Sequence, residues 1–295
     1  MSGLKQLRNR VNSVKSTQKI NKAMQVVSAA KLRRVKERAE ASDEYSSVLA
    51  KMMNDIRLNI NFIDLNPIDQ KFFNEPSADK PCLLVVMTSE RGLCGSFNSQ
   101  IVRAVKRDIA KFEEQNIKVK LIVIGKKGYD ALKGSYSDRI EEYYHVTKEK
   151  FLPVALQIKA KIISLTEQDK IGSCYLYYNE FKNALTQVMT RVNVFPVEYV
   201  DENQQKKGDA LASSRCEYEG SDLATVLINL YIIGIIEYGF LQNKASEEAA
   251  RMTAMDSATR NAGELIEKLT LKLNRSRQAM ITTELTEIIS GAEAL

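Results

Sequence analysis

The sequence predicts an α/β protein in which N- and C-terminal helices form a long antiparallel coiled coil flanking a central α/β domain. Three observations carry this. No Pro or Gly interrupts the chain between Leu4 and Pro67, so one helix of some fifty residues fits there, roughly 75–80 Å long at 1.5 Å per residue. From Met252 onward one set of positions recurs three and four apart: Met252, Met255, Thr259, Ala262, Ile266, Leu269, Leu273, Ser276, Met280 and Thr283. That spacing is a heptad seam and predicts a left-handed supercoil with another helix. Between the two ends, short apolar runs alternate with amphipathic stretches, the pattern of strands and helices in one sheet-centred domain. The expected order is a helix over 1–60, a linker over 61–80, the α/β domain over 81–200, a loop over 201–219 and a second long helix over 220–295.

The N-terminal helix opens with an apolar face at Leu4, Leu7, Val11 and Val14. Met24 and Val27 then follow after a phase shift, and Leu32, Val35, Ala39, Leu49, Met53 and Ile56 extend the face. A helix this long outruns any small domain, so its natural partner is the seam at the other end of the chain. The pairing is antiparallel because the chain leaves and returns through a domain. Residues 61–80 hold Pro67 and Pro76 among polar residues and read as a linker. Cys82–Met87 is a continuous apolar run suited to a buried parallel strand, and Val119–Ile124 reads as a second buried strand ending at Gly125. Further strands are expected over 173–178 and 188–194, with helices carrying Ile101 to Phe112 and Val154 to Leu165. Together they form a Rossmann-like domain. The apolar stretch Leu223–Ile236 is about fourteen residues, short of the roughly twenty that span a membrane. It reads as a buried helix segment, one-sided beyond Gln242.

Composition narrows the function. Between Met1 and Glu40 eleven basic residues face two acidic ones, a net +9 against +6 for the whole chain. A basic arm on a near-neutral body implies an acidic partner: protein, nucleic acid or lipid headgroup. Aromatics are absent from residues 1–44, so there is no stacking platform for single-stranded nucleic acid. The four Cys, at 82, 94, 174 and 216, are too far apart in sequence for a zinc or redox pair, and His145 is the only His. No triad and no paired carboxylates can be assembled, so no enzyme activity and no cofactor are expected of this polypeptide. Gly92 and Gly95 follow the first strand but lack the third glycine of a dinucleotide fingerprint, and Gly125-Lys126-Lys127-Gly128 is no phosphate loop. Tight turns account for them better.

The end of the chain stands apart. From Ile281 it contains no Lys or Arg, and Ile281, Leu285, Ile288 and Ile289 form one apolar face behind a basic collar of Lys272, Arg275 and Arg277. An apolar tip behind a charged collar suits insertion into a partner's socket. The run Ile281-Thr282-x-Glu284-x-x-Glu287-x-x-x-Gly291-Ala292-x-Ala294 fixes seven positions across fourteen residues. It resembles the C-terminal signature of the gamma subunit of the F-type ATP synthase, the central rotor shaft. Residues 18–34, 89–98, 246–262 and 274–282 resemble the same family, so the likeness covers both ends and the middle. One departure is Glu90, where the family commonly has Asp.

The resemblance implies a non-catalytic rotor of a proton-translocating complex. Its partners would be the hexamer of alpha and beta subunits, the epsilon subunit and the membrane c-ring, with no nucleic acid and no membrane span of its own. It implies partner contacts for Arg277, Gln278, Thr282 and Glu284 at a catalytic-subunit loop, and for Met24 and Arg251 at the coupling region. Lys31, Arg33 and Arg34 would approach the membrane ring. Met24 reads equally as a seam residue, and Arg251 and Arg277 as solvated helix charges. The basic N-terminus lacks the apolar core of a secretory signal, and the cysteine-pair insert of the plastid form is missing. A peripheral protein on the cytoplasmic face of the bacterial inner membrane is implied, with a processed mitochondrial chain as the alternative. Two rival classes stand beside it: a Rossmann-type nucleotide-binding protein with helical arms, and a coiled-coil nucleic-acid adaptor.

Overall fold

The computed structural model describes residues 2–59, 65–74, 79–146, 151–197 and 221–293. The elements run α1 (Ser2–Asn59), α2 (Pro67–Phe73), β1 (Cys82–Met87), α3 (Phe97–Glu114), β2 (Val119–Ile124), α4 (Lys126–Tyr136), β3 (Ile140–Tyr144), α5 (Phe151–Glu167), β4 (Ser173–Phe181), β5 (Gln187–Phe195) and α6 (Ser221–Glu293). The chain divides into two units. One comprises Met1–Ala30 with Arg251–Leu295, and the other Lys31–Ala250. The expected loop over 201–219 lies outside the described residues.

The helical unit pairs the start of α1 with the end of α6. Every expected α6 seam position from Met252 to Met280 is buried or half-buried, and only Thr283 is exposed. On α1 the expectation needs correcting. There is no phase shift, and Val27 is 55% exposed. The inward positions run without a break through Leu4, Leu7, Val11, Val14, Gln18, Asn21, Gln25 and Ser28. Polar side chains take the seam because the facing surface of α6 is small and can bond them. Gln18 Nε2 donates to the Thr259 carbonyl at 3.3 Å, and Gln25 Nε2 to Asp256 Oδ1 at 3.0 Å. Gly263 keeps room for Gln18, since a Cβ there would come within 3.3 Å of its amide nitrogen. Such polar layers set register at some cost in stability.

The α/β unit is a five-stranded sheet in the order β3-β2-β1-β4-β5. β1 pairs in parallel with β2 and with β4, β2 in parallel with β3, and β4 antiparallel with β5. All six residues of β1 are buried, as a continuous apolar run at the centre of a two-faced sheet requires. Leu83, Val85 and Met87 face one core, shared with α5, α6 and the Leu49 and Met53 side chains of α1. Cys82, Leu84 and Val86 face the other, shared with Ile101, Val105 and Ile109 of α3 and Leu132 of α4. Ala224, Ile228, Ile232, Ile236 and Phe240 of α6 lie in the first core. By length and composition alone α6 would pass for a membrane span, yet its apolar stretch serves as core.

Three elements went unread. α4 carries two glycines and one fully buried apolar residue, Leu132, and β3 is a polar edge strand, IEEYY, with alternating exposure. Residues 67–73, inside the stretch that reads as a linker, form α2, whose Phe72 and Phe73 enter the first core. Pro at the start of that helix is no obstacle, because its missing N–H has no intrahelical partner there.

Asp169, in the turn after α5, ties α2 and its flank down. It accepts from Lys71 Nζ at 2.8 Å and Lys80 Nζ at 2.6 Å. These two hydrogen bonds hold its carboxyl down to about 2. A depressed carboxylate contributes stability above its unfolded pKa of 3.8, and that contribution is lost as pH falls toward 2. Denaturant titrations between pH 5 and pH 2 should therefore show a falling stability whose slope flattens in Asp169→Asn. An unchanged slope in that variant would remove this account.

Candidate functional site: a filled crevice and an open helix end

In open parallel sheets, ligands bind beyond the carboxyl ends of the strands where the strand order reverses. Here that point lies between β1 and β4. On the β1 side, the turn Ser89–Asn98 is tied to itself. Ser89 N donates to Asn98 Oδ1 at 2.9 Å, Asn98 Nδ2 to Ser89 Oγ at 2.8 Å, and Ser89 Oγ to the Arg91 carbonyl at 2.6 Å. Leu93 and Gly95 take left-handed backbone, with φ of 64° and 57°. The glycines around Lys126 and Lys127 serve close packing. Gly128 N donates to Thr88 Oγ1 at 2.8 Å, and Gly125 (φ 91°) lies where a Cβ would be 2.3 Å from the Thr88 carbonyl oxygen.

The N-terminus of α4 is met by the chain's own carboxylate. Glu90 accepts from Lys126 N at 3.2 Å and from Val146 N at 2.7 Å, and it pairs with His145 Nδ1 at 2.7 Å. The longer reach of Glu over Asp at this position serves those three contacts.

On the β4 side the crevice is filled by α6. Asn179 N donates to Asn243 Oδ1 at 3.1 Å, Ser246 Oγ donates to the Asn179 carbonyl at 2.9 Å, and Phe181 N donates to Gln242 Oε1 at 3.1 Å. Asn179 Nδ2 donates to the Phe97 carbonyl at 3.2 Å. This corrects the expectation that α6 is one-sided beyond Gln242: residues 245–250 are all buried. Charged residues are enclosed here because they pair. Lys244 lies 2.9 Å from Glu247 and 3.2 Å from Glu248. Burial works to lower the Lys244 pKa, but the two carboxylates outweigh it and raise it.

Cys82 and Cys174 are fully buried, and burial pushes the Cys82 thiol up to about 12, so it behaves as a small core residue. Cys94 is buried too, and Cys216 lies outside the described residues. Among the described residues no group of three or more His, Cys, Asp or Glu could hold a metal ion.

The residues singled out in the sequence fall in three places. Arg277, Gln278, Thr282 and Glu284 lie exposed on the last turns of α6. At helical spacing Arg277, Ile281, Glu284 and Ile288 share one stripe, and Gln278, Thr282, Leu285 and Ile289 the next. Thr282 Oγ1 donates back to the Gln278 carbonyl at 3.0 Å. Ile281, Leu285, Ile288 and Ile289 are all more than half exposed, Ile288 at 71%. Met24 is half-buried on α1, beside the seam residue Gln25 and its bond to Asp256. Arg251 is 7% exposed and so is no solvated helix charge. Lys31, Arg33 and Arg34 are exposed on α1, with Arg33 3.6 Å from Glu37. The structure does not gather these residues into one cluster. What the sequence reading missed is the set Asn179, Gln242, Asn243 and Ser246, whose polar side chains carry no periodic signal.

A rod-forming helix pair with an apolar exposed end, and an α/β body whose ligand crevice is filled by its own chain, define a structural, shaft-type protein. Comparison with known proteins gives the family. The family model described as ATP synthase matches residues 3–295. The ATP synthase gamma chain of Rickettsia akari is 51% identical over 295 residues, covering all of both chains, and that of Rickettsia felis is 50% identical over the same length. Among solved structures, a chain of the central stalk and c-ring assembly of the Tetrahymena thermophila mitochondrial ATP synthase is 28% identical with a TM-score of 0.59. That match covers 81% of this chain and 99% of the other. A chain of the Euglena gracilis mitochondrial ATP synthase shares the fold at 21% identity and a TM-score of 0.67, covering 99% of this chain and 94% of that one. This chain belongs to the gamma-chain family of the F-type ATP synthase, whose members are non-catalytic subunits of that complex. Neither rival reading, the nucleotide-binding protein or the nucleic-acid adaptor, finds support among these relatives.

Proposed function

We propose that this chain is the rotating central shaft of a proton-translocating ATP synthase, coupling rotation of a membrane c-ring to the conformational cycle of catalytic beta subunits. Residues 1–60 and 220–295 form the shaft, and residues 81–200 the body. The far end of α6 enters the hexamer of alpha and beta subunits, while the epsilon subunit and the c-ring hold the other end. The complex sits at the cytoplasmic face of a bacterial inner membrane, with this chain peripheral to it.

One observation carries the reading: beyond Met280 the side chains of α6 are exposed through Ser290, including four large apolar ones on adjoining stripes. An apolar tip can turn in an apolar sleeve, because dispersion contacts have no fixed direction. Arg277, Gln278, Thr282 and Glu284 border that tip and are assigned to a catalytic-subunit loop. Met24 and Arg251 are assigned to the coupling region, and Lys31, Arg33 and Arg34 to polar loops of the ring.

The test is reconstitution with alpha and beta subunits, using the full chain and a version ending at Asn274. Four apolar side chains at about 1.5 kcal/mol each, less the cost of ordering them, should make the shortened chain assemble roughly a hundredfold more weakly. If the shortened chain assembles and supports ATP hydrolysis like the full one, the socket reading is wrong.

A further inference from the structure

We propose that Gln242, Asn243 and Ser246 of α6, with Asn179 of β4, form a torsional lock that holds the long helix to the α/β body. The proposal rests on the shaft reading above. Its origin is a mismatch of strand lengths. β1 accompanies β4 only as far as Val86 against Tyr177, while β4 runs on to Phe181. On its other side β4 stays paired, with Asn179 opposite Met189 and Phe181 opposite Gln187. The backbone groups of Asn179 and Phe181 that point away from β5 have therefore outrun the β1 ladder. Three side chains of α6 take the place of the missing strand: Asn243 Oδ1 accepts from Asn179 N, Ser246 Oγ donates to the Asn179 carbonyl, and Gln242 Oε1 accepts from Phe181 N.

The geometry suits a lock. Positions 242, 243 and 246 span about 100° of helical arc, so turning α6 about its own axis breaks all three bonds together. Sliding it by one residue also breaks all three. Asn179, Ser246, Asn243 and Gln242 are each at most 8% exposed, so water cannot easily replace a lost partner. Asn179 is fixed in turn by Asn179 Nδ2 on the Phe97 carbonyl at the start of α3. The lock spans residues 242–246, between the core stretch Ala224–Phe240 and the helical unit that begins at Arg251, so it adds a directional hold to the apolar contacts through which torque on the body reaches the far end of α6. Apolar contacts of the α/β core allow small slips. Directional hydrogen bonds do not.

The test uses the complete ATP synthase in membrane vesicles, with wild-type chain, Asn243→Ala, Ser246→Ala and the double variant. ATP hydrolysis and ATP-driven proton uptake are read on the same vesicles. The expected result is hydrolysis near the wild-type rate with uptake per ATP reduced about fivefold or more in the double variant. Asn243→Asp keeps the acceptor oxygen and should recover most of the uptake. Amide hydrogen exchange provides the structural control: Asn179, whose N–H loses its Asn243 acceptor, should lose protection while Leu176 keeps it. Parallel loss of hydrolysis and uptake overturns the lock, as does full uptake with Asn179 deprotected. If the double variant fails to assemble, Ser246→Ala, which removes a single donor, decides by the same two readouts. If wild-type vesicles hydrolyse ATP without uptake or fail to assemble, the shaft reading falls and the lock with it.

Discussion

Gly125→Val should lower the stability of the α/β unit by about 4 kcal/mol, enough to unfold a marginal domain. Two costs add. Gly125 has φ 91°, a backbone conformation that is strained for a side-chain-bearing residue by about 1–3 kcal/mol. Its Cβ would also lie 2.3 Å from the Thr88 carbonyl oxygen and 2.7 Å from the carbonyl carbon. Those are backbone atoms, and Thr88 is pinned by its N–H and its Oγ1, both donating to the Ile124 carbonyl at 2.8 Å. They cannot move aside, so overpacking adds about 1–3 kcal/mol more. The control lies in the same helix that follows this turn. Gly134 has nothing within 4 Å of a built Cβ, so Gly134→Ala should be neutral or stabilising by up to about 1 kcal/mol. Urea melts followed by circular dichroism compare the two variants. Equal midpoints for both would show that the Gly125 turn is not held as tightly as its contacts imply.

Ile122→Ala should cost about 4 kcal/mol, the usual range for emptying a close-packed aliphatic site. Ile122 is fully buried on β2 within the core shared with α5 and α6. The same substitution at Ile288, 71% exposed on α6, should change stability by less than about 0.5 kcal/mol. The order should invert when assembly is measured. Ile288→Ala should weaken reconstitution with the alpha and beta hexamer, while the folded fraction of Ile122→Ala assembles normally. A stability loss at Ile288 comparable to that at Ile122 would mean that the tip is packed in the isolated chain, against the open helix end described above.

How much was legible in the sequence follows from what kind of signal each element leaves. The seam of α6 was readable position by position because a heptad is a local repeat, and its buried side follows from helix geometry alone. β1 and β2 were readable for a related reason: strands covered on both faces are nearly all apolar, with Lys120 the one charged residue between them. The tip could be picked out because apolar side chains at Ile281, Leu285, Ile288 and Ile289 follow a basic collar. Elements whose place is set by other parts of the chain were not readable. The α1 seam at Gln18, Asn21 and Gln25 looks solvent-facing until the small side chains and Gly263 of α6 are brought opposite. α2 looked like a linker because its two buried rings, Phe72 and Phe73, match no local period.

The closing of the crevice is the sharpest case. A strand followed by glycines invites a ligand site, and only the fold shows that Gln242, Asn243 and Ser246 meet the spare backbone groups of β4 there. By itself the sequence determined the two long helices, the α6 seam, the central strands and the apolar tip, because those follow from spacing along one segment. Only the tertiary structure decided which polar side chains are buried and what they bond. That choice depends on donors and acceptors more than sixty residues away in the chain, whose positions no local pattern records.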